Sequence, residues 1–111
     1  MMGDAAPVAD LSYADYLALE RDTDTRHEWV DGVAYAMAGG TPAHSRLSAQ
    51  MIGELLRVTA DGPCGVHTSD QKIRPRKIRF ASYPDVAVVC GEVETHPDDP
   101  NAILNPTLLV E

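Results

Sequence analysis

The segment PDVAVVC, residues 84–90, decides the fold that the sequence predicts. After Asp85 the segment is almost wholly apolar and rich in β-branched residues, which is typical of a strand that is covered on both faces. We therefore predict a central strand here, in a domain of the α/β class. Because Pro84 restricts the backbone just before Asp85, we expect this carboxylate to be held rigidly where the strand begins.

Apolar segments on both sides of this strand predict its neighbours. Residues 64–68 alternate in the pattern of a half-buried strand, and residues 104–110 lead into a further apolar strand that closes on Glu111. An uncovered C-terminal strand needs a partner, so we expect either missing sequence or a second copy of the chain in a homodimer. Residues 91–105 carry four acids and two prolines, and we predict an exposed loop.

Local signals in the N-terminal half predict two helices and a hairpin. Ser12 is placed to cap a helix that ends near Arg21, and the Asp-Gly pair at 31–32 favours a tight hairpin turn. Thr41 and Pro42 predict the start of a long helix that runs to about residue 60. Its apolar stripe is predicted to face a sheet and consists of Leu47, Met51, Leu55 and Val58, widened by Ile52 and Leu56.

Composition narrows the class of protein. A chain of 111 residues forms one domain, which we place at residues 11–111, with a frayed or disordered segment at 1–10. The formal charge of −8 disfavours loose, charge-driven binding of nucleic acid, so any such contact must be local. The N-terminus lacks the pattern of a signal peptide, and no apolar run is long enough to span a membrane, so we expect no membrane partner. Cys64 and Cys90 form no C-x-x-C pair, and we expect neither a zinc knuckle nor a disulfide framework, in a reducing cytoplasm.

Three carboxylates and one histidine are candidates for chemistry. Asp85 and Glu111 border apolar strands, and Glu28 is predicted on an apolar face of the hairpin, opposite Tyr35. Carboxylates that converge from separate elements suit Mg²⁺, which prefers oxygen ligands. His44 lies in the first turn of the long helix, where an imidazole could meet a metal or phosphate. Each residue also has an ordinary interpretation. Asp85 would be a turn residue at the start of a strand, Glu28 and Glu111 would be solvated acids, and His44 would be a packing residue.

A basic ribbon stands out in this acidic chain. Five of the nine Lys and Arg residues fall within residues 72–79. Lys72, Arg74 and Arg76 would share one face of a strand, where they could neutralise successive phosphates of a nucleic acid. The alternative is a solvated edge hairpin whose charges oppose aggregation.

Several segments together resemble the Uma2 family of restriction endonucleases, which lies in the PD-(D/E)xK nuclease superfamily. The resemblance runs from about residue 11 to the end of the chain, in the same order and spacing. It is carried by SY and YL at 12–17, EWVDG at 28–32, MAGGTP with His44 at 37–44, YPDV at 83–86 and NP with LLVE at 105–111.

The resemblance implies a restriction-endonuclease-like α/β core, a mixed β-sheet flanked by helices, shortened at its C-terminus. It implies that Asp85 and Glu111 are catalytic metal ligands for Mg²⁺ or Mn²⁺, joined by Glu28, with His44 as a further catalytic residue. The implied function is metal-dependent hydrolysis of phosphodiester bonds in double-stranded DNA. Family members continue past the position of Glu111 with a helix that carries a basic residue, so we expect impaired catalysis in this chain. The alternative function is a non-catalytic binding or dimerisation module that retains the nuclease fold.

Overall fold

The computed structural model describes residues 10–111, so the predicted frayed segment lies, apart from Asp10, outside the described residues. The described part contains two helices and nine strands, in one continuous α/β arrangement. The helices are α1 (Tyr13–Asp22) and α2 (Pro42–Val58); the strands are β1 (His27–Val30), β2 (Val33–Ala36), β3 (Cys64–Thr68), β4 (Lys72–Ile73), β5 (Phe80–Ala81), β6 (Val86–Cys90), β7 (Thr95–His96), β8 (Asp99–Ile103) and β9 (Leu108–Val110).

The predicted central strand is confirmed as β6. It lies between β3 and β9 and pairs antiparallel with both. Residues 86–89 of β6 are all buried, as expected for a strand without a polar face. Ala87 and Val89 form one core cluster with Ile73 and Ile103, and Leu109 of β9 packs against it.

The predicted hairpin is also confirmed. β1 and β2 pair through a two-residue turn in which Asp31 and Gly32 both have positive φ, at 48° and 86°, as a type I′ turn requires. β5 pairs with the other edge of β1. The buried side of this sheet carries Trp29, which packs with Tyr16 of α1 in a second core cluster. Ser12 caps α1 through a complete capping box, as the sequence predicts.

Residues 91–105 form β7 and β8 rather than the exposed loop that their composition predicts. Asp99, Ala102 and Ile103 of β8 are buried, and β8 pairs in parallel with β4. The acid is tolerated in the interior because Lys72 of β4 lies 2.7 Å from its carboxylate. Composition alone could not reveal that partner, which is 27 positions away in the sequence.

The predicted α/β class, with a mixed β-sheet and helices, is confirmed, and the strands are divided among several sheets. Within residues 10–111 they form three three-stranded sheets, in the orders β2-β1-β5, β3-β6-β9 and β4-β8-β7. An isolated antiparallel bridge between Ile73 and Ser82 links the segment that contains β4 to the segment that follows β5. The third sheet is the mixed one, since β8 runs parallel to β4 and antiparallel to β7.

Helix α2 begins as predicted, with Thr41 as its N-cap and Pro42 in its first turn. The orientation predicted for its apolar stripe is confirmed for Leu55 and Ile52, which are half-buried, and is wrong for Leu47 and Val58, which are 62% and 59% exposed. α2 packs on β3 and β6 through a neighbouring face, whose half-buried positions are Ser48, Ile52, Leu55 and Thr59. Neither helix in the described part of the chain has the length and apolar character needed to cross a membrane.

Cys64 and Cys90 form a disulfide bond, contrary to the sequence-based expectation. Cys64 opens β3 and Cys90 closes β6, and the register of these strands places the two residues opposite each other. No spacing signal marks this pair, because the two cysteines lie 26 positions apart and meet only through strand pairing.

Candidate metal and phosphodiester site

Asp85 and Glu111 lie at the same end of neighbouring strands. Val86 of β6 pairs with Val110 of β9 in an antiparallel register, so the residue before Val86 and the residue after Val110 come opposite each other. Cross-strand partners of this kind have Cβ atoms about 5 Å apart. The structure therefore brings together the two carboxylates that the sequence analysis selected.

Glu28 is the third acid near this edge. It is half-buried on β1, its register partner is Tyr35 as predicted, and its Oε2 accepts a hydrogen bond of 3.0 Å from the Ser82 hydroxyl. The face that carries Glu28 is more open than predicted, since Tyr35 is 44% exposed, and the core lies on the side of Trp29. Glu28 thus reaches the site without full burial.

The pKa of the Glu111 carboxyl responds to both of the other acids. Partial desolvation raises the pKa of the Glu111 carboxyl above its ordinary value, and the negative charges of Glu28 and Asp85 raise it further. Like charges at one edge repel each other in the absence of a cation. A divalent cation bound between them would relieve this repulsion.

His44 is positioned directly against Asp85. Its Nε2 lies 2.9 Å from Asp85 Oδ1, and its backbone N–H donates to the Oγ1 of the N-cap Thr41. The imidazole is therefore fixed both by the first turn of α2 and by the carboxylate. The structure brings together Asp85 and His44, which are 41 positions apart in the sequence.

An open cleft of about 970 Å³ adjoins this pair. Its walls come from the segment before β1, the loop that leads into α2, the first turns of α2, the end of β3 and the segment between β5 and β6. Asp85 and His44 lie on the cleft wall, together with Arg26 and Tyr83. The cleft gives a substrate access to Asp85.

The donor set at this edge has the chemistry that Mg²⁺ or Mn²⁺ requires. Carboxylate oxygens are the preferred ligands of both ions, and Mg²⁺ is usually held by one or two carboxylates, with waters and substrate phosphates completing its shell. Among residues 10–111, no three His, Cys, Asp or Glu side chains are arranged to hold a metal ion on their own. The two carboxylates of Asp85 and Glu111 would leave most of the coordination shell of such an ion to water or to other ligands.

The basic ribbon differs from its predicted geometry. Lys72 is only 7% exposed and is paired with Asp99, so it does not share an exposed face with Arg74 and Arg76. The Arg74 guanidinium lies 4.9 and 5.1 Å from the ring centroids of Tyr13 and Trp29. Arg76 remains half exposed and pairs with Glu94 at the surface. Alternation alone could not show that Lys72 turns inward, because its partner comes from β8.

Sequence analysis missed three residues around the site. Ser82 holds Glu28, while Arg26 and Tyr83 form a cation–π pair at 4.8 Å on the cleft wall. Tyr83 belongs to the YPDV segment, so its position two residues before Asp85 was a usable signal. Arg26 had none, since it stands in an acidic stretch between α1 and β1.

Comparison with known proteins gives the same family as the motifs. The sequence model of the Uma2 family, described as "Putative restriction endonuclease", matches residues 13–111. Two uncharacterized proteins of the cyanobacterium Synechocystis are similar: slr1290 is 35% identical over 86 residues, which are 78% of this chain and 45% of slr1290, and sll1609 is 27% identical over 101 residues, which are 91% and 57%. The chain thus spans about half the length of these curated relatives. No solved structure matches it.

Proposed function

Because this chain belongs to the Uma2 family, we propose that it contributes the carboxylate site of a metal-dependent DNA endonuclease. The observation that carries the proposal is the meeting of Asp85 and Glu111 at one end of β6 and β9, close enough to Glu28 for the three charges to interact. Phosphodiester hydrolysis needs such converging oxygen ligands. The proposed substrate is double-stranded DNA.

Each residue has a distinct role in this proposal. Asp85 and Glu111 would hold Mg²⁺ or Mn²⁺, and Glu28, fixed by Ser82, would add a third negative charge at the same edge. When bound, the cation supplies Lewis-acid chemistry, since it lowers the pKa of water and offsets charge on the phosphate. His44 keeps the Asp85 carboxylate in one orientation through its Nε2 contact.

The test is calorimetric titration with Mg²⁺ and Mn²⁺. We expect the wild-type chain to bind either ion, and we expect Asp85→Asn to weaken binding at least tenfold because it removes one charged ligand. Asp61→Asn is the matched control, since it removes one negative charge at the turn that follows α2, away from the site. Equal binding by both variants would refute the proposed metal site.

Of the three basic residues that the sequence analysis assigned to DNA binding, Arg76 is the main proposed contact. Its pair with Glu94 is at the surface and is therefore weak enough to be exchanged for a phosphate. We expect Arg76→Gln to reduce the log–log salt slope of DNA affinity by about one, the value for a single phosphate contact. Arg57→Gln, which breaks an exposed pair on α2, should leave the slope unchanged. An unchanged slope for Arg76→Gln would remove this contact.

A non-catalytic binding or dimerisation module is the second candidate function. It is favoured by the position of β9 at the edge of its sheet, where Leu108 is 46% exposed, and by the exposed stripe of α2. Sedimentation equilibrium separates the two proposals when it is combined with the metal titration: a dimer without metal binding supports the module. We propose the cytoplasm as the compartment. Disulfides are rare in a reducing cytoplasm, so this proposal is tested by whether the Cys64–Cys90 disulfide is present in the protein.

A further inference from the structure

The cleft wall beside Asp85 carries a guanidinium whose edge is already occupied. Arg26 donates from Nη1 to the carbonyl oxygen of Ser69 at 3.1 Å and from Nη2 to Asp70 Oδ1 at 2.9 Å. The N–H bonds of a guanidinium lie in its plane, so these two contacts engage its edge. These two contacts hold the guanidinium at the cleft wall.

The same guanidinium lies over an aromatic ring and remains partly exposed. Its central carbon lies 4.8 Å from the Tyr83 ring centroid. The Arg26 side chain is nevertheless 47% exposed, and within the described residues Tyr83 is the aromatic ring found against it. A planar cation that lies over an aromatic ring and is partly exposed can stack with a further planar group.

We propose that the Arg26–Tyr83 pair is the subsite for an unpaired nucleobase, which places beside Asp85 a nucleotide that is extruded from a DNA duplex or lies in a single-stranded stretch of it. The inference rests on the proposed function and specifies its substrate. Bases stack on guanidinium planes as they do on aromatic rings, largely regardless of sequence.

The dimensions and lining of the cleft fit this ligand. Its volume of about 970 Å³ is at the upper end of the range for small-molecule sites, which leaves room for a base and its sugar. Tyr83 and Asp85 are two residues apart, so their Cα atoms lie within about 7 Å, and a base at the platform brings its own backbone to the carboxylate edge. The Ser48 hydroxyl on the α2 wall can serve the polar edge of a base, whereas the Ser45 hydroxyl already donates to the Pro42 carbonyl oxygen and can only accept.

The test is binding of a labelled 12-nucleotide single strand in EDTA, followed by fluorescence anisotropy, so that neither metal nor hydrolysis is needed. We expect Arg26→Lys, which keeps the charge but loses the plane, to weaken binding about tenfold, the loss expected for one stacked base. Arg57→Lys, on α2 outside the cleft lining, should bind as the wild type does. Thermal denaturation checks that the Arg26 variant is folded.

A second measurement uses the wild-type protein alone. A strand with abasic nucleotides at its centre should bind about tenfold more weakly than the intact strand. The affinities for a mismatched and a perfect duplex are also compared. Tighter binding of the mismatched duplex identifies an extruded base, because a mismatched base leaves the stack more easily. Equal binding of intact and abasic strands, an absence of single-strand binding, or an unaffected folded Arg26→Lys would overturn the inference. Base-dependent binding without a metal site at Asp85 would instead overturn the hydrolytic proposal alone.

Discussion

The ion pair of Lys72 and Asp99 is the residue-scale feature with the largest expected effect on stability. Lys72 Nζ lies 2.7 Å from Asp99 Oδ2, and both side chains are more than nine-tenths buried. The Tyr13 hydroxyl donates a hydrogen bond to the same carboxylate. Removing one partner leaves an uncompensated buried charge, so we expect Lys72→Met to lower the free energy of unfolding by about 3 kcal/mol. Urea denaturation measures this loss. Arg57→Gln, which breaks an exposed pair, should change stability by less than about 0.5 kcal/mol; equal effects would contradict the assignment.

The same pair predicts a pH dependence. Burial by itself raises the pKa of Asp99, but the hydrogen bond and the charge of Lys72 outweigh it and hold the pKa below its ordinary value. A carboxyl whose pKa is lower in the folded than in the unfolded state adds stability above the unfolded pKa, about 3.9, and loses it as the pH falls through the folded pKa. We expect stability profiles from pH 6 down to pH 2, measured by urea denaturation, to be flatter for Asp99→Asn than for the wild type. A parallel acid decline in both proteins would exclude this contribution.

Residue identity predicted the candidate site better than it predicted the basic residues. Asp85 precedes one apolar strand and Glu111 follows another. Both residues were selected on that basis, and the antiparallel pairing of these strands brings the two ends together. Lys72 was misplaced because burial of a charge depends on its partner, and Asp99 lies in a segment whose composition resembles a loop. The pairing of distant charges is not encoded in local alternation.

Helix α2 likewise shows that local sequence signals predict the bounds of an element but not its packing. Its boundaries follow from Thr41 and Pro42, which act within one turn and are visible in the sequence. Its orientation does not, because apolar residues occur on more than one side and only the position of β3 and β6 selects the packed face. Hairpin and cap signals are local and were confirmed, whereas the division into three sheets depends on long-range pairings.

The exposed stripe of α2 leads to an element-scale prediction. Leu47 is 62% exposed, so Leu47→Ala should change the free energy of unfolding by no more than about 0.5 kcal/mol. Ile103→Ala in β8 should lower it by about 2–4 kcal/mol, because this side chain is 2% exposed in the core cluster of β6. Chemical denaturation of both variants provides the comparison. A large effect at Leu47 would mean that another surface covers the stripe in solution.

At the scale of the whole molecule, the Cys64–Cys90 disulfide constrains the unfolded chain most strongly. It closes a segment of 26 positions and ties the far end of β6, the strand that begins beside Asp85, to β3. In the chain-entropy account such a crosslink stabilises the fold by about 2–4 kcal/mol. We expect a reducing agent to lower the urea midpoint of the wild type accordingly, while the double variant Cys64→Ser and Cys90→Ser starts at the lower midpoint and does not respond. If two thiols react in the folded, unreduced protein and its urea midpoint equals that of the double variant, the disulfide does not form in solution. That result would agree with the reducing compartment expected from the sequence.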